Sequence, residues 1–426
     1  MTKRSAALLA LTVLLCAPAR AQAQIDPENS SIVWVKPGNA LDSMRSALVN
    51  KQILVTNSLE NTSNMVVTGN AVEVQNEIAA DPFLSERVDY VEPNGIVRLF
   101  PSECVSMAAP AGEPVPYGVK RVGGPIALNS PKRVWIVDSG ISVDYDADAL
   151  GELNVDRKLS VECDAQGCAR GTADDSFGHG TAVASIIGAI QNERGLIGVA
   201  PGATLVPVKV FQSPEADWAS IYSAMSYLMD NVVAGDVVNI SFGGPWVPLV
   251  SARPRGIERQ LHELADRGAR IAVAAGNLDA LPDTAYVETV SPARAGAYRS
   301  RDRGGAVMTV SAMDQDDAFW PESGFGNGEK ASDAKGLHVG PPDVAEPGVA
   351  IPALWIDREM RSCTGTSFAA PHLAGILTQG LPRHDGQVKG DIDMVFSSLA
   401  GDEKDPKRGD PIGVCVPGPD GRCAAN

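Results

Sequence analysis

Positive charge is what this chain has too little of. It carries 36 Lys and Arg against 52 Asp and Glu over 426 residues, a net charge of −16 at pH 7. That deficit excludes nucleic acid and anionic membrane surfaces as natural partners, because both are gripped through Lys and Arg. Long apolar runs are missing as well. After the first two dozen residues nothing reaches transmembrane length, so no membrane partner is expected. Histidine is scarce, with five in all, which makes the placing of each informative. Glycine (42) and proline (30) are plentiful and announce many loops and tight turns. At 44% hydrophobic and 21% charged the composition is globular, and the length allows two or three domains around a large core.

The first residues read as an export signal, assigned to residues 1–23. Lys3 and Arg4 supply a positive start, residues 6–17 are almost unbroken apolar, and Ala19, Ala21 and Ala23 fit a small-residue cleavage rule. Cys16 follows Leu15, which is too large for a lipid-anchoring site. A secreted or periplasmic product is expected. Six cysteines then remain, at 104, 163, 168, 363, 415 and 423, an even number that suits disulfides. Cys163 with Cys168 and Cys415 with Cys423 are close enough to close local loops. Cys104 and Cys363 are left over, although six cysteines allow fifteen pairings. No histidine sits near either local pair, which speaks against zinc, and no metal site is assigned.

Residues 24–100 read as a small domain of their own. Strands at 32–35, 53–56, 65–68 and 88–91 and helices at 39–50 and 72–80 give the order β-α-β-β-α-β, a split βαβ pattern of ferredoxin-like α+β type. Residues 101–115 carry no period and read as a linker. From 116 to 426 short β-branched runs alternate with helical ones: strands at 134–137, 205–211, 237–241, 271–275 and 307–310, helices at 182–190, 219–231, 257–267 and 367–378. This predicts an α/β domain, a mostly parallel sheet with helices on both faces.

Chemistry in such sheets gathers at the carboxyl ends of strands. Asp138 ends the first strand of the large domain. His179 lies between Gly178 and Gly180 at a helix start, a poor core position and a good one for a base. Ser367 follows Gly365-Thr366 and precedes Phe368-Ala369-Ala370-Pro371-His372, where the start of a helix offers N–H groups to a developing anion. A helix cap is the plain alternative for Thr366-Ser367. Asn277, after Ala275-Gly276 at a strand end, has an amide able to donate to an oxyanion, or to make a turn. Ser241-Phe242-Gly243-Gly244 closes another strand and could lend edge backbone to an extended peptide. The order Asp, His, Ser is one of the known orders of a nucleophilic triad.

The segments 137–140, 178–184 and 365–372, with Asn277 and Ser241–Gly244, resemble the subtilisin-like serine proteases (subtilases, peptidase family S8) from about residue 116 onward. The resemblance implies a secreted serine endopeptidase, with Asp138, His179 and Ser367 as triad. The Asn277 amide and the Ser367 N–H would form its oxyanion hole, and residues 241–244 with Ala275 and Gly276 would bind substrate. Protein or peptide substrates and a monomer are implied, and no cofactor is required. Calcium is common among such proteins. Here Asp144, Asp146 and Asp148 lack the Gly and terminal Glu of a known loop motif. The 24–100 domain resembles the inhibitor I9-like propeptide of the family. It would serve as intramolecular inhibitor and chaperone, delivering residues 94–100 into the cleft, with self-processing in the window 99–110. Cleavage after Phe100 suits the tail length but puts Pro101 next to the cut bond. Residues 102–110 are the other choice, and a cut after Cys104 would leave the enzyme with an odd cysteine. A silent peptide-binding scaffold and an esterase are the competing readings of the same residues.

Overall fold

The computed structural model describes residues 26–100, 103–129, 132–245, 256–278, 287–325, 331–332, 338–339 and 342–380. The segment assigned as export signal and the Cys415–Cys423 pair lie outside the described residues.

The N-terminal unit is built from β1 (Ser30–Val35), α1 (Leu41–Asn50), β2 (Val55–Leu59), β3 (Asn64–Thr68), α2 (Ala71–Ala79), α3 (Pro82–Arg87) and β4 (Val88–Pro93). Its strands pair antiparallel in the order β2-β3-β1-β4. Alternation along the strands sorts the side chains. Val33, Val35, Met65 and Val67 face inward with Met44 and Leu48 of α1 and Val74 and Ile78 of α2. The opposite face, with Ile32, Trp34, Val66 and Tyr90, packs into the core of the larger domain. The helix α3 starts on an Asp81 cap with proline in its first turn. Its six residues are too few to show a helical period in sequence.

The chain continues through β5 (Ile96–Leu99), β6 (Glu103–Met107) and α4 (Tyr117–Arg121). The stretch 101–115 is therefore not a plain linker. Residues 103–107 form a strand because a distant partner supplies the hydrogen bonds. No local alternation signals it, and Val105 is largely exposed.

The larger domain follows as β7 (Arg133–Asp138), β8 (Val161–Asp164), β9 (Gly167–Arg170), α5 (His179–Gly188), β10 (Thr204–Lys209), β11 (Glu215–Asp217), α6 (Trp218–Asn231), β12 (Val237–Ile240), β13 (Phe242–Pro245), α7 (Gly256–Asp266), β14 (Arg270–Ala274), β15 (Val290–Ser291), β16 (Tyr298–Arg299), β17 (Ala306–Met313), β18 (Ala331–Ser332), β19 (His338–Val339), β20 (Val344–Pro347), β21 (Ile351–Leu354), β22 (Met360–Thr364) and α8 (Thr366–Leu377). Its main sheet runs β16-β17-β14-β12-β7-β10-β8-β9, with β20 beside β17. The six inner pairings are parallel, and only β16 and β9 at the ends run antiparallel. Strands β7, β10, β12 and β14 are buried on both faces, as their continuous apolar runs require. Helix α5 packs with α8, and α6 with α7. Disulfides join Cys163 to Cys168 across the β8–β9 hairpin and Cys104 of β6 to Cys363 of β22.

Candidate active site

Asp138 closes β7 in the middle of the sheet and is fully buried. A buried carboxylate needs donors, and it has them. Ser139 N donates at 2.7 Å, and the ring Nδ1 of His179 lies 2.8 Å from Oδ1 and 3.0 Å from Oδ2. The next turn brings the two residues together. Ser139 Oγ accepts from Gly180 N at 2.9 Å, so residue 180 must approach the Asp138–Gly140 backbone. A Cβ on Gly180 would collide with the Gly140 carbonyl.

His179 opens α5 after Gly178, whose φ of 106° only glycine adopts at little cost. Space there is also short, since a Cβ on Gly178 would enter the Trp355 ring. The helix start is tied by Asp175, which sequence reasoning did not single out. One of its oxygens accepts from Phe177 N and Gly178 N, both at 2.9 Å. The other accepts from Thr181 N at 2.9 Å and Thr181 Oγ1 at 2.7 Å. Burial raises the Asp175 carboxyl above its usual value, and these four donors oppose the rise. An acidic residue just ahead of a glycine-flanked helix start is the signal that could have found it.

Ser367 is the second residue of α8. Its hydroxyl donates to the Ser241 carbonyl at 3.0 Å, and Ser241 Oγ donates back to the Ser367 carbonyl at 3.1 Å. Asn239 Nδ2 donates to Ser241 Oγ at 2.9 Å, so the strand end and the helix start are stitched together. The Nε2 of His179 is buried without a hydrogen-bond partner among the described residues. The direct Ser367–His179 hydrogen bond that a triad would show is thus not made. The rings of His179 and Phe368, the residue after Ser367, lie 5.6 Å apart.

Asn277 is fixed by its carbonyl oxygen, which accepts from Thr366 N at 3.0 Å and Thr366 Oγ1 at 2.8 Å. Gly276 N donates to the same Thr366 hydroxyl at 3.1 Å. Thr366 therefore sets which way the amide of Asn277 faces, with Nδ2 on the side away from Thr366.

The cleft beside these groups holds a strand of the chain itself. β5 lies between β13 and β11. Leu99 pairs with Phe242, Arg98 with Gly243 and with Glu215, Val97 with Ala216 and Ile96 with Asp217. The next residue, Phe100, is buried between Gly243 and Gly276. Its ring tip would lie 2.6 Å from a Cβ on Gly243 and 3.5 Å from one on Gly276. Gly244 lies along the same strand, where a Cβ would come 3.1 Å from the Ile96 carbonyl, and Ala275 is buried next to Gly276. Phe242, Gly243, Gly244 and Gly276 therefore lie against one extended stretch of chain, residues 96–100, while Ser241 is turned to Ser367 and Asn239.

The N-terminal unit seats that strand. Asn94 Oδ1 accepts from Ala219 N at 2.7 Å in the first turn of α6. Glu92 accepts from Trp34 Nε1 at 2.8 Å and from the Tyr222 hydroxyl. Trp34 meets Tyr222 edge-on at 5.1 Å and lies under Arg259, 4.6 Å from its guanidinium. Between β7 and β8, Asp146 is engaged by Arg157 at 2.6 and 2.8 Å, and Asp144 lies 3.2 Å from Arg358. Among the described residues no group of three or more potential ligands is placed to hold a metal ion, and no helix is long and apolar enough to cross a membrane.

Residues 133–390 match the profile of the Subtilase family, Peptidase_S8. The chain is 28% identical to M-protease of Shouchella clausii (strain KSM-K16), over 72% of this chain and 70% of that one. It is also 28% identical to Subtilisin E of Bacillus subtilis (strain 168), over 76% and 73%. Among solved structures, the epidermin leader peptide processing serine protease of Staphylococcus aureus superposes with a TM-score of 0.57 at 17% identity, covering 82% of this chain and 87% of that one. Fervidolysin of Fervidobacterium pennivorans, a keratinolytic enzyme, superposes with a TM-score of 0.57 at 19% identity, and the match spans 82% of this chain and 54% of that one. The chain belongs to the subtilase family and is a serine endopeptidase.

Proposed function

We propose that the protein hydrolyses peptide bonds through an acyl-enzyme on Ser367 and is made as an exported, self-inhibited zymogen. The observation that carries the reading is the His179 ring. Both Asp138 oxygens engage Nδ1, which holds the proton there and leaves Nε2 as the basic nitrogen, with no hydrogen-bond partner among the described residues. Rotation of the Ser367 side chain from the Ser241 carbonyl toward Nε2 would supply the nucleophile. His179 takes the hydroxyl proton as Oγ attacks, then gives it to the departing amine, and water repeats the sequence on the ester. The Asn277 amide and the Ser367 N–H receive the oxyanion. An extended substrate would pair with β13 and β11 as residues 96–99 do, with the side chain before the cut bond where Phe100 lies.

The same occupancy supports inhibition, since no peptide can pair with β13 while β5 does. Disulfides at Cys104–Cys363 and Cys163–Cys168 suit an oxidising compartment, in keeping with export. The test is a fluorophosphonate probe on the processed protein, followed by peptide mapping. Label on Ser367, lost in His179→Ala, is expected. A folded, processed chain that takes no label would overturn the reading.

A further inference from the structure

The segment that fills the cleft does not end at Phe100. It resumes in β6, which pairs with β22 over five residues, Glu103 with Thr364 through Met107 with Met360. At the second of these pairs Cys104 is bonded to Cys363. β22 runs directly into Gly365 and α8, so the bridge is anchored four residues before Ser367. On the other side of Phe100 the chain is held between β11 and β13. The inhibitory strand is thus fastened at both ends to the body that carries the nucleophile, and one fastening is covalent.

The bridge divides the chain into two kinds of cleavage site. Leu99 and Phe100 are buried, and the residue that follows in sequence is proline, so a cut there is disfavoured. The amine freed there would sit on Pro101, three residues before Cys104, and the bridge would keep it near the site, at high local concentration for resealing. The stretch 108–114 is exposed or half-exposed and belongs to no helix or strand, which is where proteolytic nicks fall. A cut there lies beyond Cys104. It leaves Cys104 on the N-terminal fragment and Cys363 on the enzyme, still bonded. The odd cysteine expected from such a cut does not arise.

We propose that Cys104–Cys363 is a redox latch on this zymogen. Cleavage within 108–114 gives a two-chain, disulfide-joined enzyme whose cleft stays filled, and a dithiol reductant releases the N-terminal domain and frees the site. The proposal rests on the reading of Ser367 as nucleophile and of β5 as inhibitor. In the exchange, a thiolate of the reductant attacks the Cys104 sulfur, which is less buried than that of Cys363, and Cys363 leaves as thiolate. The second thiol of the reductant then displaces Cys104. Two electrons and two protons pass to the protein thiols, and the dithiol becomes its disulfide.

The test uses the full chain with a site-specific protease sequence placed in 108–114. After cutting, hydrolysis of a chromogenic peptide is followed with and without dithiothreitol. A rise of at least tenfold with the reductant is expected. The double variant Cys104→Ser/Cys363→Ser should be active on cutting alone and indifferent to reductant. Full activity of the cut parent without reductant would overturn the latch, and so would a double variant as latent as the parent. Should that variant fail to fold, Cys163→Ser/Cys168→Ser replaces it and must keep the reductant response. The same cut in Ser367→Ala, run on non-reducing and reducing gels and by size exclusion, separates the two readings. Fragments that part without reductant sink the latch. Fragments that part only with reductant, while no arm of the parent shows activity, uphold the latch and sink the assignment of Ser367.

Discussion

Ser367 and Ser241 exchange hydrogen bonds, hydroxyl to carbonyl in both directions, at 3.0 and 3.1 Å. The candidate nucleophile is held on the strand end by this exchange, and its hydroxyl makes no hydrogen bond to His179. Replacing its hydroxyl removes a single hydrogen bond, so Ser367→Ala should fold with little loss, about 1 kcal/mol. Turnover should fall by about 10⁴ to 10⁶, a magnitude carried over from subtilisin itself rather than derived from this chain. Peptide hydrolysis should stop, and mass spectrometry of the precursor shows whether the cut beyond Cys104 needs Ser367 of another copy, since the filled cleft cannot cut its own chain there. Conversion at the parent rate would show that another protease does the processing.

Asp175 holds the start of α5 through four donors, and His179 is the first residue of that helix. Asp175→Asn replaces one acceptor oxygen by a donor that faces Thr181 N and Oγ1. The variant should lose about 1 to 3 kcal/mol in denaturant unfolding, measured on the Ser367→Ala background. Because Asp175 sits behind the histidine, kcat should drop roughly tenfold while KM holds. A variant that raises KM instead would show that Asp175 shapes the groove and not the base.

The contrast between these residues shows what the sequence discloses. The places of Asp138, His179, Ser367 and Asn277 in the fold were legible, because each sits where a buried apolar run stops or a helix of small residues begins, and such boundaries are local. Their candidate roles came from the three motifs taken together and from the resemblance they carry, not from any one boundary. The position of β6 was not legible, because its strand character comes from β22 and from a bridge between cysteines 259 residues apart. Nor was the direction of the Ser367 hydroxyl, which depends on a carbonyl 126 residues away. Asp175 lies between the two cases, a local cap whose weight shows only once Thr181 is folded against it.

Phe100 places its ring in the groove between Gly243 and Gly276. Phe100→Ala empties that space, and losing a buried aromatic ring costs about 3 kcal/mol, roughly a hundredfold in the docking equilibrium. The uncut precursor should then leak peptide-hydrolysing activity about a hundred times faster. Phe100→Tyr, which keeps the ring, should stay near the parent. Initial rates on a chromogenic peptide, taken before any processing, decide it. Equal leakage from parent and alanine variant would mean that the strand pairing alone accounts for inhibition.

His372 gives the protein an acid sensitivity with a defined sign. It is buried on α8 beside Gly118, its Nδ1 lies 2.8 Å from the Phe368 carbonyl, and burial pushes its imidazole down from 6.5 to about 4. Between those values the unfolded chain takes up a proton that the folded chain refuses. Stability from this group is therefore full above about 6.5 and is lost as pH falls toward 4, by roughly 3 kcal/mol in all. Buried carboxyls act the other way, Asp175 and Glu152 among them, since burial raises both. Asp343, pushed up to about 6, and Glu346, also raised by burial, favour the folded chain at low pH and give up that share as pH rises. The histidine's part is isolated by comparing His372→Gln with its parent, both on the Ser367→Ala background. Urea midpoints from pH 7 to pH 4.5 should fall less steeply in the variant, the gap between the two closing by about 2 to 3 kcal/mol. Parallel curves would show that His372 accepts its proton without unfolding, through a path to solvent that the closed packing around Gly118 argues against.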